Sequence, residues 1–287
     1  MAARFSVLAS GSAGNSSLLQ LDGTGVLIDL GLGPRELTAR LAAVGAIWSD
    51  VKAALLTHTH GDHWKARTID QLLRQRIPLY CHAEHQGTLL GYAPAFASLL
   101  KAGLVRLFTP EVPFMLAPGL IGRAFAVSHD SVGTFGFRID GGHTLFGPEW
   151  SLGYAADLGC WTDEQAQMLA NVDGLALEFN HDVGMEKASG RPAYLVARVL
   201  GDCGHLSNRQ AGDFVQAILG HSTPGRLRHL IQLHLSRDCN RPALAVAAAR
   251  TALLRMEASA TVYTAQQDHP GPSVRLDLKS APQRLAR

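Results

Sequence analysis

Four metal-binding side chains fall within six positions, in the run Thr57-His58-Thr59-His60-Gly61-Asp62-His63. In an extended segment, residues two apart point to the same side, so His58 and His60 can converge on one cation. Gly61 permits a sharp turn, after which Asp62 and His63, at the start of a helix, can face a second cation beside the first. Histidines gathered by chance on a solvated loop would explain a lone His-x-His pair. Four donor residues directly after a buried apolar segment favour metal binding, and a pair of cations points to hydrolysis by activated water.

A second group of residues has less specific chemistry. The loop Ser10 to Ser17 is built of small residues with two glycines, so its backbone N–H groups could approach an anionic substrate closely. Ser10, Ser12 and Asn15 are the expected substrate contacts there; a tight structural turn, with Asn15 and Ser16 orienting the metal-binding loop, is the other reading. His181, in Phe179-Asn180-His181-Asp182, is a candidate catalytic residue whose alternatives are a phosphate contact, a substitute metal ligand or simple loop packing. His82, His85, His143, His221 and His229 have no partner pattern and are read as surface or core histidines.

The elements that must position these residues alternate between strand and helix. Phe5 to Ala9 and Val26 to Leu30 are apolar runs expected to pair as strands across the glycine-rich loop. Pro34 opens a helix through Leu37, Leu41 and Val44 that Gly45 stops, and Ala53 to Leu56 is a buried strand leading into the histidine-rich turn. A helix over Ile69 to Arg74 and a strand over Pro78 to Cys81 follow, then an alanine-rich stretch without a clear pattern to about Val105. Val112 to Phe146 reads as a second antiparallel sheet, and a strand ends at Tyr154 to Asp157. Thr162 with Gln165 and Ser207 with Gln210 are capping boxes ahead of helices, the second of which should end at Gly220. Gly174 to Phe179 and Leu230 to Leu235 are strands, and a long helix runs from Arg241 to about Met256.

Composition narrows the class further. Of 287 residues, 47% are hydrophobic and 17% charged, which suits a folded chain with a sizeable core. A formal charge of +2 carries no broad basic footprint, so any nucleic-acid partner must be met locally. Cys81, Cys160, Cys203 and Cys239 are scattered without a Cys-x-x-Cys pair, which argues against a disulfide framework or a zinc ribbon. With a weak N-terminal apolar run and no stretch long enough to span a membrane, a cytoplasmic location without membrane association is expected.

The motif from His58 to His63 makes the chain resemble the metallo-β-lactamase superfamily, and further matches follow in the expected order. His129 in Val-Ser-His-Asp, Asp157 in Tyr-Ala-Ala-Asp-Leu-Gly and His234 in Leu-His-Leu-Ser stand where that superfamily has its later ligands. The resemblance implies an α/β fold, a four-layered αββα sandwich, in a single domain over residues 1–287 whose residues after about 266 form a C-terminal tail. It also implies two divalent metal ions, the first held by His58, His60, His129 and Asp157 and the second by Asp62, His63, Asp157 and His234, with water or hydroxide between them. Imidazole ligands favour zinc, while the carboxylates admit manganese. Asp29 in Leu-Ile-Asp-Leu-Gly matches an early aspartate that supports the metal loop without binding metal.

The opening Ala-Ser-Gly-Ser-Ala-Gly-Asn-Ser-Ser and the segments Glu-Phe-Asn-His-Asp, Cys-Gly-His-Leu-Ser-Asn and Leu-His-Leu-Ser-Arg-Asp resemble the YycJ/WalJ-type branch, related to nucleases and phosphodiesterases. His205 in Gly-His-Leu-Ser-Asn is then the general acid beside the leaving group, and the alternative is a histidine that helps cap the helix at Ser207. The expected activity is hydrolysis of nucleic acid or a small phosphodiester by a metal-bridging hydroxide, with Asp62, His205 and His181 as catalytic residues. A carboxyl-ester, lactone or thioester hydrolase is the competing enzyme, since the same ions polarise a carbonyl. A non-catalytic module stabilised by metal is the competing class.

Overall fold

Short strands with both faces buried dominate the chain, and their burial on each side sets the layering. The computed structural model describes residues 3–145 and 147–277; the expectations that involve Phe146, the side chain of His143 and the tail residues 278–287 lie outside the described residues. The strands are β1 (Ala3–Ala9), β2 (Ser16–Leu21), β3 (Thr24–Ile28), β4 (Val51–Leu55), β5 (Leu79–Cys81), β6 (Val105–Leu107), β7 (Phe114–Ala117), β8 (Leu120–Ala126), β9 (Phe135–Thr144), β10 (Gly147–Ala155), β11 (Gly174–Glu178), β12 (His229–Leu233), β13 (Thr261–Thr264) and β14 (Val274–Arg275). Among the described residues they form two sheets, ordered β14-β1-β2-β3-β4-β5-β6 and β13-β12-β11-β10-β9-β8-β7.

Each sheet is antiparallel in one half and parallel in the other. In the first, β1, β2 and β3 pair antiparallel while β3 to β6 run parallel. In the second, β7 to β10 are antiparallel and β10 to β13 parallel. The inner faces meet in one apolar core that includes Phe5 and Val26 from the first sheet and Phe137, Trp150 and Ile231 from the second.

Helices cover both outer faces. Leu37 and Leu41 of α1 (Pro34–Ala43), Ile69 and Leu72 of α2 (Ala66–Gln75), Leu89 of α3 (His85–Tyr92) and Phe96 of α4 (Pro94–Lys101) pack on the outer side of the first sheet. The outer side of the second sheet is covered by α5 (Asp163–Met168), α8 (Asn208–Gly220) and α9 (Pro242–Arg255), through Ala166, Phe214 and Ala249. Two shorter helices, α6 (Val183–Lys187) and α7 (Ala193–Leu200), lie in the connection between β11 and α8. The result is a helix–sheet–sheet–helix sandwich in which no described helix is long and apolar enough to cross a membrane.

The structure departs from the sequence reading at several points. β1 and β3 are not direct partners, because β2 lies between them. Leu18 faces the helices and Leu19 the inter-sheet core, so β2 shows no apolar–polar alternation to announce it. The unresolved alanine-rich stretch is α3 and α4 followed by β6. Asp62 and His63 lie in a turn before α2 rather than on its first turn, since that helix begins at Ala66. Part of the expected tail also returns to the first sheet, where β14 pairs antiparallel with β1 through Phe5 and Val274.

Candidate metal centre

The sequence-selected donors gather along one edge of the sandwich. The His58 to His63 turn follows β4, His129 follows β8, Asp157 follows β10 and His234 follows β12. These are carboxyl ends of strands, where α/β sheets commonly leave a crevice for a site. Asp29, Asp157 and His234 each adopt positive φ, at 63°, 57° and 55°. Left-handed backbone is uncommon outside glycine, and here it turns the exits of β3, β10 and β12 towards the same region.

The turn carrying four of the donors is held by its backbone as well as by side chains. Asn15 N–H donates to the Asp62 carbonyl at 2.7 Å and Leu30 N–H to the His63 carbonyl at 2.7 Å. Gly31 lies beneath the same turn, where a Cβ would collide with the Asp62 carbonyl oxygen. The buried Asp29 carboxylate accepts from Thr57 N–H at 2.9 Å and faces His63 Nδ1 at 2.7 Å. With Nδ1–H donated to Asp29, His63 presents the lone pair of Nε2 to the centre.

Three other imidazoles are anchored in a similar way. His58 Nδ1 is 3.0 Å from Thr57 Oγ1, His129 Nδ1 is 2.9 Å from the Gly204 carbonyl, and His234 Nδ1 is 3.0 Å from Glu178 Oε1. His58 Nε2, His234 Nε2 and Asp157 Oδ2 are buried without a hydrogen-bond partner among the described residues. Buried polar atoms left open on side chains whose opposite ends are anchored fit a cation site well.

The donor atoms fall into overlapping groups within 4.8 Å: His58 with His60 and His129, Asp62 with His63 and His234, and His58 with His63 and Asp157. Asp157 is grouped with one member of each of the first two groups, His58 and His63. Its Oδ2 is 2.7 Å from His63 Nε2, without the alignment of a hydrogen bond, and its Oδ1 is 3.1 Å from His234 Nδ1. Burial alone would raise the Asp157 carboxyl, but His234 and His63 hold it well below the usual range. Burial likewise opposes charge on His63, yet Asp157 and Asp29 raise it well above the ordinary imidazole value. The centre thus keeps its carboxylates ionised and surrounds them with donors that a divalent cation can take over from protons.

Glu178 joins the site without having been singled out in the sequence. It is wholly buried at the end of β11, accepts from the N–H groups of Leu158 and Leu206 at 3.1 Å each, and faces His205 Nδ1 at 2.8 Å. Burial would raise its carboxyl, but His205 and His234 bring it down to about 2. His205 is raised in turn: burial opposes its charge, and Glu178 and Asp157 outweigh that effect. Glu178, His205, Asp157 and His234 form a fourth group of mutually close donors. A charged residue closing the apolar strand Gly-Leu-Ala-Leu-Glu was the available signal, overshadowed by the histidine three positions on.

Three other expectations change. Ser10 and Asn15, read as substrate contacts, are buried and engaged with the protein: Ser10 Oγ accepts from His234 N–H at 2.8 Å, and Asn15 Nδ2 donates to Asp62 Oδ2 at 3.2 Å. They steady the donors, which was the alternative reading of this loop, while Ser12 is exposed. His181 is wholly buried, lies in none of the donor groups and has neither ring nitrogen partnered among the described residues, so it has no face for substrate.

Two mixed sheets between helices, with imidazoles and carboxylates converging at their strand ends, define a metallo-β-lactamase-fold hydrolase dependent on divalent metal. Residues 24–223 match the family described as Beta-lactamase superfamily domain, and the chain belongs to that family. It is 30% identical over 244 residues to the Exodeoxyribonuclease WalJ of Streptococcus pneumoniae, spanning 83% of each chain. It is 28% identical over 251 residues to the Exodeoxyribonuclease YycJ of Bacillus anthracis, spanning 85% of this chain and 87% of that one. Its fold is similar to the metallo-beta-lactamase fold protein YhfI from Bacillus subtilis, with a TM-score of 0.67 at 19% identity over 96% of this chain and 100% of that one.

Two substitutions test this construction. Gly31→Ala should push the metal turn outward, costing about 1–3 kcal/mol in urea unfolding and lowering bound zinc in equilibrium dialysis; unchanged zinc content would contradict the backbone cradle. Glu178→Gln should destabilise the metal-free protein by about 3 kcal/mol at pH 7. Since the folded Glu178 carboxyl titrates below its ordinary value of 4.5, the wild-type advantage is full above that pH and is lost as pH falls towards 2. An advantage that stayed constant from pH 7 to 3 would show that Glu178 contributes by packing instead of charge.

Proposed function

We propose that this chain is a phosphodiesterase acting on nucleic acid, specifically an exonuclease that shortens DNA with the help of two divalent metal ions, zinc or manganese. The observation that carries the reading is the Glu178–His205 pair, 2.8 Å apart and set beside Asp157, which stands 3.4 Å from His205 Nδ1. An oriented imidazole next to two groups of metal donors supplies what phosphodiester cleavage needs beyond the ions, a proton for the departing oxygen. The relatives named exodeoxyribonuclease support DNA as the polymer and its ends as the place of attack.

In this reading His58, His60 and His129 hold one ion, Asp62, His63 and His234 hold the other, and Asp157 serves both. When bound, the ions polarise phosphate oxygens and lower the pKa of water to about 7. His205 keeps its Nδ1 on Glu178, which directs Nε2 away from that carboxylate and lets it carry the proton for the leaving oxygen. Asn15 steadies Asp62, and Asp29 keeps His63 in the tautomer whose Nε2 accepts a cation. His205 is 17% exposed, against 0% for His63 and 3% for His234, so it is more open to a substrate than these two. Of the remaining site candidates, Ser12 is left as a contact at the loop surface, and the buried His181 has no assigned part.

Two variants separate the roles. Asp157→Ala should lose both bound metal and hydrolysis of bis(p-nitrophenyl) phosphate; full metal occupancy with normal turnover would remove the shared carboxylate from the account. His205→Ala should retain metal but slow cleavage by about 10²–10⁴-fold on DNA, with a smaller loss on the activated nitrophenyl ester. Equal losses on good and poor leaving groups would show that His205 is not the proton donor.

A further inference from the structure

Beside the candidate metal centre, one helix presents an aromatic ring and a cation to solvent. Tyr194 and Arg198 stand four residues apart on α7, a spacing that places both on one face about 6 Å apart along the axis. Tyr194 is 76% exposed and the Arg198 side chain 51%. The location of this face follows from Asp130. One of its carboxylate oxygens pairs with Arg198 Nε, and the other lies 3.6 Å from His60 Nε2 and 3.4 Å from His129 Nε2. A single carboxylate therefore spans from Arg198 to the first donor group.

The end of α7 is also tied to the segment carrying the proposed acid. His205 N–H donates to the Val199 carbonyl at 3.0 Å, and Gly204 packs so tightly on this helix end that a Cβ would strike the carbonyls of Arg198 and Val199. The Gly204 carbonyl in turn accepts from His129 Nδ1 at 2.9 Å. These links hold the Tyr194–Arg198 face in register with both His129 and His205. Among the described residues, the Arg198 guanidinium hydrogen-bonds through Nε alone, leaving the hydrogens of both Nη groups for a ligand.

We propose that α7 is the substrate-positioning helix for a single strand of DNA: Arg198 takes a phosphate adjoining the one to be cut, and Tyr194 stacks on an unpaired base one step farther from the centre. This rests on the nucleic-acid reading above and specifies it. Stacking needs a base with its face free, as at a single-stranded or frayed end. It also reconciles a chain of formal charge +2 with a polyanionic substrate, because contact is made by a local pair instead of a broad basic surface.

The test uses metal-loaded protein and a fluorescent single-stranded DNA oligonucleotide, with zinc content and thermal unfolding measured for every variant. Tyr194→Ala should raise KM by about tenfold, whereas Tyr194→Phe, which keeps the stacking face, should stay within about twofold of wild type. Abasic nucleotides near the oligonucleotide ends should raise the wild-type KM and erase its difference from Tyr194→Ala; this arm holds even where a variant folds poorly. Arg198→Gln should raise KM and reduce the slope of log affinity against log salt by about 0.7, the share of one phosphate on a single strand. Unaltered KM in Tyr194→Ala and Arg198→Gln, with DNA still cut, would overturn the α7 assignment alone. A wild type that hydrolyses bis(p-nitrophenyl) phosphate but neither binds nor cuts DNA would overturn the nucleic-acid reading and this assignment with it.

Discussion

Asp157 has to stand within reach of imidazoles that arrive from two different sheets, and most of the local architecture serves that requirement. Its carboxylate meets His63 from the first sheet at 2.7 Å and His234 from the second at 3.1 Å. A buried carboxylate is costly unless positive charge surrounds it. The sandwich supplies that surrounding by bringing the exits of β4, β10 and β12 to one edge, the last two reshaped by left-handed backbone at Asp157 and His234. The protein brings the donors together through its fold, and the open nitrogen and oxygen atoms are what remain after the other polar atoms have been tied to the scaffold.

Anchoring of one ring nitrogen recurs at several of the imidazoles. Asp29 fixes His63, Gly204 fixes His129, and Glu178 fixes His234 and His205. The anchors come from separate segments, and Glu178 serves two of the rings at once. Asn15 and Ser10 extend the principle to Asp62 and to the His234 backbone. The glycine-rich loop thus acts from beneath the centre, while α7 forms part of its outer rim.

Much of this was legible in the sequence, for identifiable reasons. The His58 to His63 run was readable because its donors are adjacent and their spacing has a geometric meaning in an extended chain. His129, Asp157 and His234 lie far apart in the chain, and only resemblance linked them to that run; the structure brings them together. Both capping boxes appear where their side-chain pattern indicated, because a cap is a local interaction. Strand β2 escaped because both of its faces are buried. Glu178 escaped because its role depends on what surrounds a strand end, and the roles of Ser10 and Asn15 were ambiguous because small polar residues in a loop serve substrate and scaffold equally well.

The claim on which the account rests is that two cations share one carboxylate. Anomalous diffraction from crystals of the zinc-loaded protein, recorded on either side of the zinc absorption edge, tests it directly. The account predicts two peaks, one against His58, His60 and His129 and the other against Asp62, His63 and His234, with the Asp157 carboxylate in contact with both. A single peak, or a peak held by Glu178 and His205 with the His58 group empty, would contradict it.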